Sequence, residues 1–263
     1  MMLVILVFLH FVAYDWIVYS LAKEVSTHNS RNCIEPHALY NQLLSISNFT
    51  RGRQEDAEEC VAALLNQIDH ELGNSNEWQS TMIHGVFGGW YRNEVKCETC
   101  KISSMKYDRF LCHKIEIENN VESVAEGINS SAKAEELEEY DCEICQKKVT
   151  AEKQLTIARV PNALILQLKR FGYSQTTNSS NKIKKPINLD RTLIIHQSEG
   201  EYNNDGDVVK NVVMDLVAVL VHDGESLDNG HYIAYVLVCF VLFSIAVHLF
   251  MTSCCFAVVV GFR

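Results

Sequence analysis

Apolar residues form two long runs at the ends of the chain and shorter periodic segments between them. Residues 1–22 are apolar apart from interruptions such as His10 and Asp15, and residues 232–262 contain no Asp, Glu, Lys or Arg. A membrane span needs about 20 apolar residues. The pattern therefore predicts a transmembrane segment at 237–263 and a candidate signal anchor at 1–22.

The segments between these runs predict a mixture of helices and strands. Acidic residues open a helix at Asp56, and an apolar stripe at helical spacing continues it to Leu72, before Gly73. A shorter helical pattern follows Pro36, and residues 119–139 predict a helix and a loop. Strands are predicted within 81–118 and at 163–168, 212–221 and 232–236.

Hydrophobic content and net charge limit which partners the protein can bind. The chain of 263 residues is 48% hydrophobic and carries a formal net charge of −10, which indicates a globular protein and argues against nucleic-acid binding. An acidic surface suits a basic partner, but solubility alone also explains it.

Four of the ten cysteines form two Cys-x-x-Cys pairs, Cys97 with Cys100 and Cys142 with Cys145. Each pair can supply two thiolates, and together they match the four ligands of structural zinc. Disulfides or unrelated buried cysteines are the alternative. A secreted glycoprotein with disulfides would also account for the apolar ends and for three Asn-x-Ser/Thr triplets.

Four segments, in order, resemble the ubiquitin-specific protease family of deubiquitinases. Residues 53–60 (RQEDAEEC) resemble its Gln-Asp-Ala-His-Glu-Phe box, and residues 94–100 (EVKCETC) resemble its first zinc knuckle. The second knuckle and the Leu-Lys-Arg-Phe strand are matched by 140–145 (YDCEIC) and 160–171 (VPNALILQLKRF). The histidine box is matched by 218–222 (AVLVH) and 230–232 (GHY).

The resemblance implies an α+β, papain-like cysteine protease fold with thumb, palm and zinc-binding fingers, incomplete at both ends. The catalytic-type domain would cover residues 23–236, with the fingers at about 94–171. It implies ubiquitin as partner, structural zinc as cofactor, and the cytoplasm or nucleus as compartment, with a membrane left open by the apolar ends. His231 would be the general base, and the ubiquitin tail would contact Asp56, Glu59, Gly230 and Tyr232.

The sequence departs from the family where the catalyst should be completed. No segment matches the Asn-Thr-Cys-Tyr nucleophile box; Cys33 precedes the Gln54 helix but lacks those neighbours, and Cys60 fits a small core residue. No Asp, Asn, Glu or Trp follows His231; His248 lies near the spacing of the missing partner but cannot act as a carboxylate. The expected function is a ubiquitin carboxyl-terminal hydrolase that is inactive as written, and the alternative is a non-catalytic ubiquitin-binding module.

Overall fold

The computed structural model describes residues 37–52, 55–72, 81–174, 179–199, 208–226, 229–236 and 255–262. These residues form four helices and twelve strands. The helices are α1 His37–Ile46, α2 Ala57–Leu72, α3 Met82–Phe87 and α4 Val124–Ser131. The strands are β1 Gly89–Cys97, β2 Ser103–Phe110, β3 Cys112–Glu116, β4 Glu135–Cys142, β5 Lys147–Arg159, β6 Ala163–Lys169, β7 Phe171–Ser174, β8 Ser179–Lys182, β9 Thr192–Glu199, β10 Val208–Ser226, β11 Asn229–Val236 and β12 Cys255–Phe262.

The chain divides into two compact units. Unit 1 comprises Met1–Val86, Arg170–Lys184 and Val217–Val258, and unit 2 comprises Phe87–Lys169, Lys185–Leu216 and Val259–Arg263. The α+β composition that was predicted is confirmed by these elements. Strand β10 contributes residues to both units.

Unit 1 is built on α2, because its apolar stripe is buried as the helical spacing predicts. Leu64, Leu65 and Ile68 are all buried, as is Leu43 of α1. The second half of β10 pairs antiparallel with β11, with Ala218 opposite Val236 and His222 opposite Tyr232. Strands β7 and β8 form a separate antiparallel pair.

Unit 2 contains an antiparallel sheet with strand order β2-β1-β5-β4. Strand β3 pairs parallel with β6, and β9 pairs antiparallel with the first half of β10. Leu164, Leu166 and Leu168 of β6 are fully buried, and Ile165 and Gln167 between them are also buried. The strand therefore lies inside the core on both faces.

Two segments differ from the secondary structure that the sequence predicts. Residues 82–87 form a helix rather than a strand, since Ile83 and Phe87 are buried four residues apart and His84 N donates to Thr81 Oγ1 at 3.4 Å. Residues 119–139 contain the predicted helix, α4, but Glu135–Cys142 is a strand rather than a loop, with lysines of β5 opposite it. Its register pairs Asp141 with Lys148 and Glu135 with Lys153, and such cross-strand opposite charges stabilise a sheet.

The prediction of a membrane-spanning segment is wrong. Among the described residues, no helix is long and apolar enough to cross a membrane. Within the apolar C-terminal run, residues 232–236 belong to β11 and residues 255–262 form β12. Both stretches are rich in β-branched and aromatic residues, which favour strands. The remainder of that run, and the predicted anchor at 1–22, lie outside the described residues.

A histidine is buried in the core of unit 2 with hydrogen-bond partners on both ring nitrogens. Tyr91 Oη lies 2.8 Å from His113 Nδ1, and Ser131 Oγ lies 3.3 Å from His113 Nε2. The Ser131 hydroxyl donates its hydrogen bond to Ile128 O at 2.7 Å. It must therefore accept a hydrogen bond from His113 Nε2–H, and Tyr91 must donate to His113 Nδ1. Burial lowers the pKa of His113 to about 4, which keeps the ring neutral.

Candidate functional site

The four cysteines of the two Cys-x-x-Cys pairs converge in unit 2. Their sulfurs all lie within 4.8 Å of one another. The Sγ atoms of Cys97 and Cys145 are 3.8 Å apart, as are those of Cys100 and Cys142. Tetrahedral zinc, with Zn–S bonds of about 2.3 Å, spaces its sulfurs about 3.8 Å apart. The residues therefore fit structural zinc, and the alternative of disulfides is wrong because all four are free cysteines.

The backbone of the knuckles prepares the cluster for a cation. Cys100 N donates to Cys97 Sγ at 3.4 Å, and Cys145 N makes the same contact with Cys142 Sγ. The hydrogen bond from Cys100 N is the main cause that lowers the pKa of Cys97 to about 6. Burial beside the other thiols instead raises the pKa of Cys145 to about 12. Without a cation the four sulfurs cannot all ionise, so a bound metal would displace their protons.

His231 lies on β11, in the hairpin that unit 1 forms from β10 and β11. Its direct cross-strand neighbour is Asp223, and its side chain is exposed. Gly230 before it cannot hold a side chain, because a Cβ there would lie 2.5 Å from Asp223 O and 2.5 Å from His222 Nε2. Gly230 is thus required by the packing of the hairpin itself.

Tyr232 joins this hairpin to the beginning of α2. Its hydroxyl accepts a hydrogen bond from Ala57 N at 3.3 Å, across 175 residues of sequence. Burial raises the pKa of Tyr232 to about 12, and the negative charge of Asp56 acts in the same direction. The phenol therefore stays neutral and fixes the hairpin against the helix.

Asp56 precedes α2 and caps it. Its Oδ1 accepts from Glu58 N at 2.6 Å and from Glu59 N at 3.3 Å, as expected of an N-cap carboxylate. Burial nevertheless raises the pKa of Asp56, against the lowering effect of the two N–H groups. A partly buried carboxylate of this kind gains from a cationic partner.

One cleft in unit 1 brings most of the predicted tail-binding residues together. Its volume is about 350 Å³, and α1, α2, β11 and the segment before α2 contribute to it. Asp56, Gly230, His231 and Tyr232 line it. The side chain of Glu59 is exposed and is not among the lining residues. Cys33 and His248 lie outside the described residues.

Cys60 also lines this cleft, where the sequence predicts only a core position. It is 3% exposed, and burial raises the pKa of its thiol to about 11. A nucleophilic cysteine needs a lowered pKa. The geometry thus agrees with the prediction that Cys60 is a small core residue.

A cluster that the sequence does not predict surrounds His222. Lys182 Nζ lies 3.1 Å from His222 Nδ1 and donates to the carbonyl oxygens of His222 and Gly224, at 3.1 and 2.5 Å. The His222 ring packs at a tilt of 56° against the Tyr232 ring, with centroids 4.9 Å apart, and meets the Phe171 ring edge-on at 5.5 Å. The sequence signal was that His222 belongs to the segment 218–222 that resembles the histidine box. Lys182 gave no such signal, because it stands in a polar segment that resembles a loop tip.

Comparisons with known proteins agree with this architecture. The family model described as ubiquitin carboxyl-terminal hydrolase matches residues 12–240. The mouse ubiquitin carboxyl-terminal hydrolase 17-like protein B (Mus musculus) is 33% identical over 195 residues, which cover 71% of this chain and 40% of that protein. Ubiquitin carboxyl-terminal hydrolase 23 of Arabidopsis thaliana is 31% identical over 233 residues, 82% of this chain and 26% of that protein.

Among solved structures, the SAGA Ubp8/Sgf11/Sus1/Sgf73 DUB module bound to ubiquitin aldehyde has a similar chain, with a TM-score of 0.77 and 25% sequence identity. The match covers 94% of this chain and 58% of that chain. The chain belongs to the ubiquitin carboxyl-terminal hydrolase family. This confirms the resemblance and the fold class, and the chain spans less than half the length of the two relatives above.

Proposed function

We propose that this chain recognises the C-terminal tail of ubiquitin in the cleft beside His231. The observation that carries the proposal is that Asp56, Gly230, His231 and Tyr232 line one cleft. Asp56 is more than 170 residues away from the other three in the sequence. Those are four of the five residues to which the family resemblance assigns the tail and the catalytic base.

The chemistry of the cleft supports a basic, extended ligand. Burial raises the pKa of Asp56, and the negative charges of Glu58 and Glu59 act in the same direction. An arginine of the ubiquitin tail would stabilise the carboxylate through paired hydrogen bonds. The volume of about 350 Å³ lies within the range of ligand sites. Tail residues with small side chains would pass beside Gly230.

We also propose that these 263 residues alone bind the tail without hydrolysing the bond after its last glycine. Thiol hydrolysis needs a thiolate, a base and a partner that orients the base. The sequence has no match to the nucleophile box of the family and no carboxylate or amide side chain after His231. Cys60, the cysteine among the described lining residues, is held as a thiol by its burial.

A ubiquitin derivative with a C-terminal electrophile distinguishes binding from hydrolysis. The purified chain should form no covalent adduct, while calorimetric titration with ubiquitin should give saturable binding that disappears with ubiquitin lacking its tail. An adduct that is lost in Cys33→Ala or Cys60→Ala would identify a nucleophile and refute the inactive reading. Absence of heat, with no adduct, would refute recognition itself.

Asp56→Asn tests the role of the carboxylate separately from its role as a cap. Asparagine caps a helix about as well as aspartate, so α2 should keep its stability while ubiquitin binding weakens by roughly tenfold, the effect of losing one charged hydrogen bond. Glu59→Gln is the matched control at an exposed position outside the cleft. Equal losses in the two variants would mean that general acidity, and not the cleft, attracts ubiquitin.

The reduced cysteine cluster suits a compartment that keeps thiols reduced. We propose the cytoplasm or nucleus as that compartment. A fractionation experiment with an antibody to the chain would test the assignment, and recovery in the secreted fraction would contradict it.

A further inference from the structure

The chemistry of the groups around His222 decides which of its ring nitrogens carries the proton. An ammonium group only donates hydrogen bonds, so Lys182 Nζ, 3.1 Å from His222 Nδ1, requires that nitrogen to be an unprotonated acceptor. The proton of the neutral ring must therefore lie on Nε2. That nitrogen faces Gly230, where a Cβ would come within 2.5 Å of it.

Lys182 is itself held in place by the same hairpin. Its Nζ donates to the backbone oxygens of His222 and Gly224, and it lies 5.9 Å from the centroid of the Phe171 ring. Phe171 and Lys182 are direct cross-strand partners in the β7–β8 pair. The lysine thus connects that pair to the end of β10, where the chain turns toward His231.

The contact continues from His222 to the cleft. The His222 ring packs on the Tyr232 ring, and the Tyr232 hydroxyl accepts from Ala57 N at the beginning of α2. Gly230 and Tyr232, which touch His222, are the two neighbours of His231 in sequence. Displacement of His222 would therefore shift the backbone on both sides of His231.

We propose that Lys182 is a positioning residue for the tail cleft, which fixes the Nε2–H tautomer of His222 and so holds His231 and Tyr232 in place. The expected effect on ubiquitin binding rests on the proposed function. The positioning itself is a property of the free protein. Lys182 does not line the cleft and acts through His222.

The charges around His222 support this arrangement. The groups that act on its ring are Lys182 on β8, Asp223 beside it on β10, and His231 and Tyr232 on β11. Burial and the Lys182 charge lower the pKa of His222, and Asp223 opposes them. The ring should therefore remain neutral at pH 7, with Lys182 as its partner.

The test combines Lys182→Met, which keeps the aliphatic stem, with Lys182→Arg, which keeps a cationic donor. Lys184→Met is the control, because Lys184 is an exposed lysine two residues away. Long-range ¹H–¹⁵N spectra of the full chain report the tautomer of each histidine, and backbone amide spectra report the positions of Ala57, His231 and Tyr232. Calorimetry with ubiquitin follows on the same samples.

We expect wild type and Lys182→Arg to have His222 protonated on Nε2 alone. Lys182→Met should give mixed tautomers, shifted amides at His231 and Tyr232, and ubiquitin binding weakened roughly tenfold or more, the loss of a hydrogen bond to a charged group. Lys184→Met should match wild type. If the wild-type ring carries its proton on Nδ1, the proposal is overturned, and this holds even where Lys182→Met fails to fold.

The two proposals fail in different ways. If the wild-type chain binds no ubiquitin, the proposed function is refuted. If the amide resonance of His231 shifts in Lys182→Met and not in Lys184→Met, the positioning is supported all the same. Normal ubiquitin binding by a folded Lys182→Met, with an unchanged His222 tautomer, refutes the positioning and leaves the proposed function intact.

Discussion

The buried His113 makes the stability of unit 2 depend on pH in a way that one substitution can isolate. Its pKa is about 4 in the folded chain against a reference value of 6.5. Between those values the unfolded chain binds a proton that the folded chain does not. The contribution of His113 to stability is therefore complete above pH 6.5 and declines as the pH falls toward 4.

The magnitude follows from the difference between the two pKa values. A tenfold change in proton affinity corresponds to about 1.4 kcal/mol, so the complete loss between pH 6.5 and 4 is about 3 kcal/mol. At pH 5 the folded ring is still mostly neutral, and the loss relative to pH 7 is about 2 kcal/mol. The side chain is 3% exposed, so solvent screening does not diminish this value appreciably.

His113→Gln is the matched variant, because glutamine can accept from Tyr91 and donate to Ser131 but does not ionise. Urea unfolding of both proteins, loaded with zinc and followed by tryptophan fluorescence, should be compared at pH 7 and pH 5. The free energy of unfolding of wild type should fall by about 2 kcal/mol more than that of the variant. Other titrating groups, including the thiols, change equally in both and cancel.

Parallel pH dependence in the two proteins would refute the reasoning. It would mean that His113 is protonated in the folded chain or that its hydrogen bonds to Tyr91 and Ser131 differ from those described. A lower stability of His113→Gln at both pH values, with a smaller slope, would still support it, because loss of ring packing affects the intercept and not the pH dependence.

Three further predictions concern the zinc site and the cleft. Cys100→Ser should lower bound zinc, measured by atomic absorption, and destabilise unit 2 by several kcal/mol, whereas Cys60→Ala should leave the zinc content unchanged because Cys60 is outside the cluster. Gly230→Ala should lower the unfolding free energy by about 1–3 kcal/mol, because its Cβ would meet backbone at 2.5 Å. The control is Gly85→Ala, where nothing lies within 4 Å of the added Cβ, and it should leave the midpoint of a thermal scan unchanged. Equal effects of the two substitutions would contradict the reasoning. Tyr232→Phe removes the acceptor for Ala57 N and should cost about 1 kcal/mol in urea unfolding, while an unchanged midpoint would argue against that hydrogen bond.

The zinc cluster was predictable from sequence because its information is local. A Cys-x-x-Cys pair fixes the distance between two sulfurs within one tight turn, and two such pairs need only one sheet to meet. Strands β1 and β4 both pair with β5, which carries the two knuckles to the same end. The helix of α2 was predictable for a similar reason, since its buried stripe repeats at helical spacing.

The acidic strand β4 was not predictable from its own residues. Glu135–Cys142 has low strand propensity by itself, and the lysines that stabilise it lie in β5. Propensity gives way to such cross-strand partners once the sheet has formed. The helix α3 was not predicted because its six residues are too few to show a helical periodicity. The two glycines that follow it also indicate a break rather than a helix.

The contacts of Lys182 were hidden for a further reason. A polar segment rich in Ser, Asn and Lys indicates a loop, and its composition does not indicate that Lys182 contacts the histidine hairpin. Its acceptors lie 40 and 42 residues away and include two backbone oxygens, which have no sequence signature. Only the paired strands β7 and β8 bring the lysine to the histidine hairpin.

The proposed recognition and hydrolysis would make different demands on this chain, and the contacts that hold the cleft together bear on the proposed recognition. Its walls are fixed by the hydrogen bond from Ala57 N to Tyr232, by the close packing of Gly230 on His222, and by the cap that Asp56 forms on α2. None of these contacts involves a nucleophile. Loss of a catalytic thiol would therefore leave the cleft assembled, whereas loss of Lys182 or Tyr232 would disturb it.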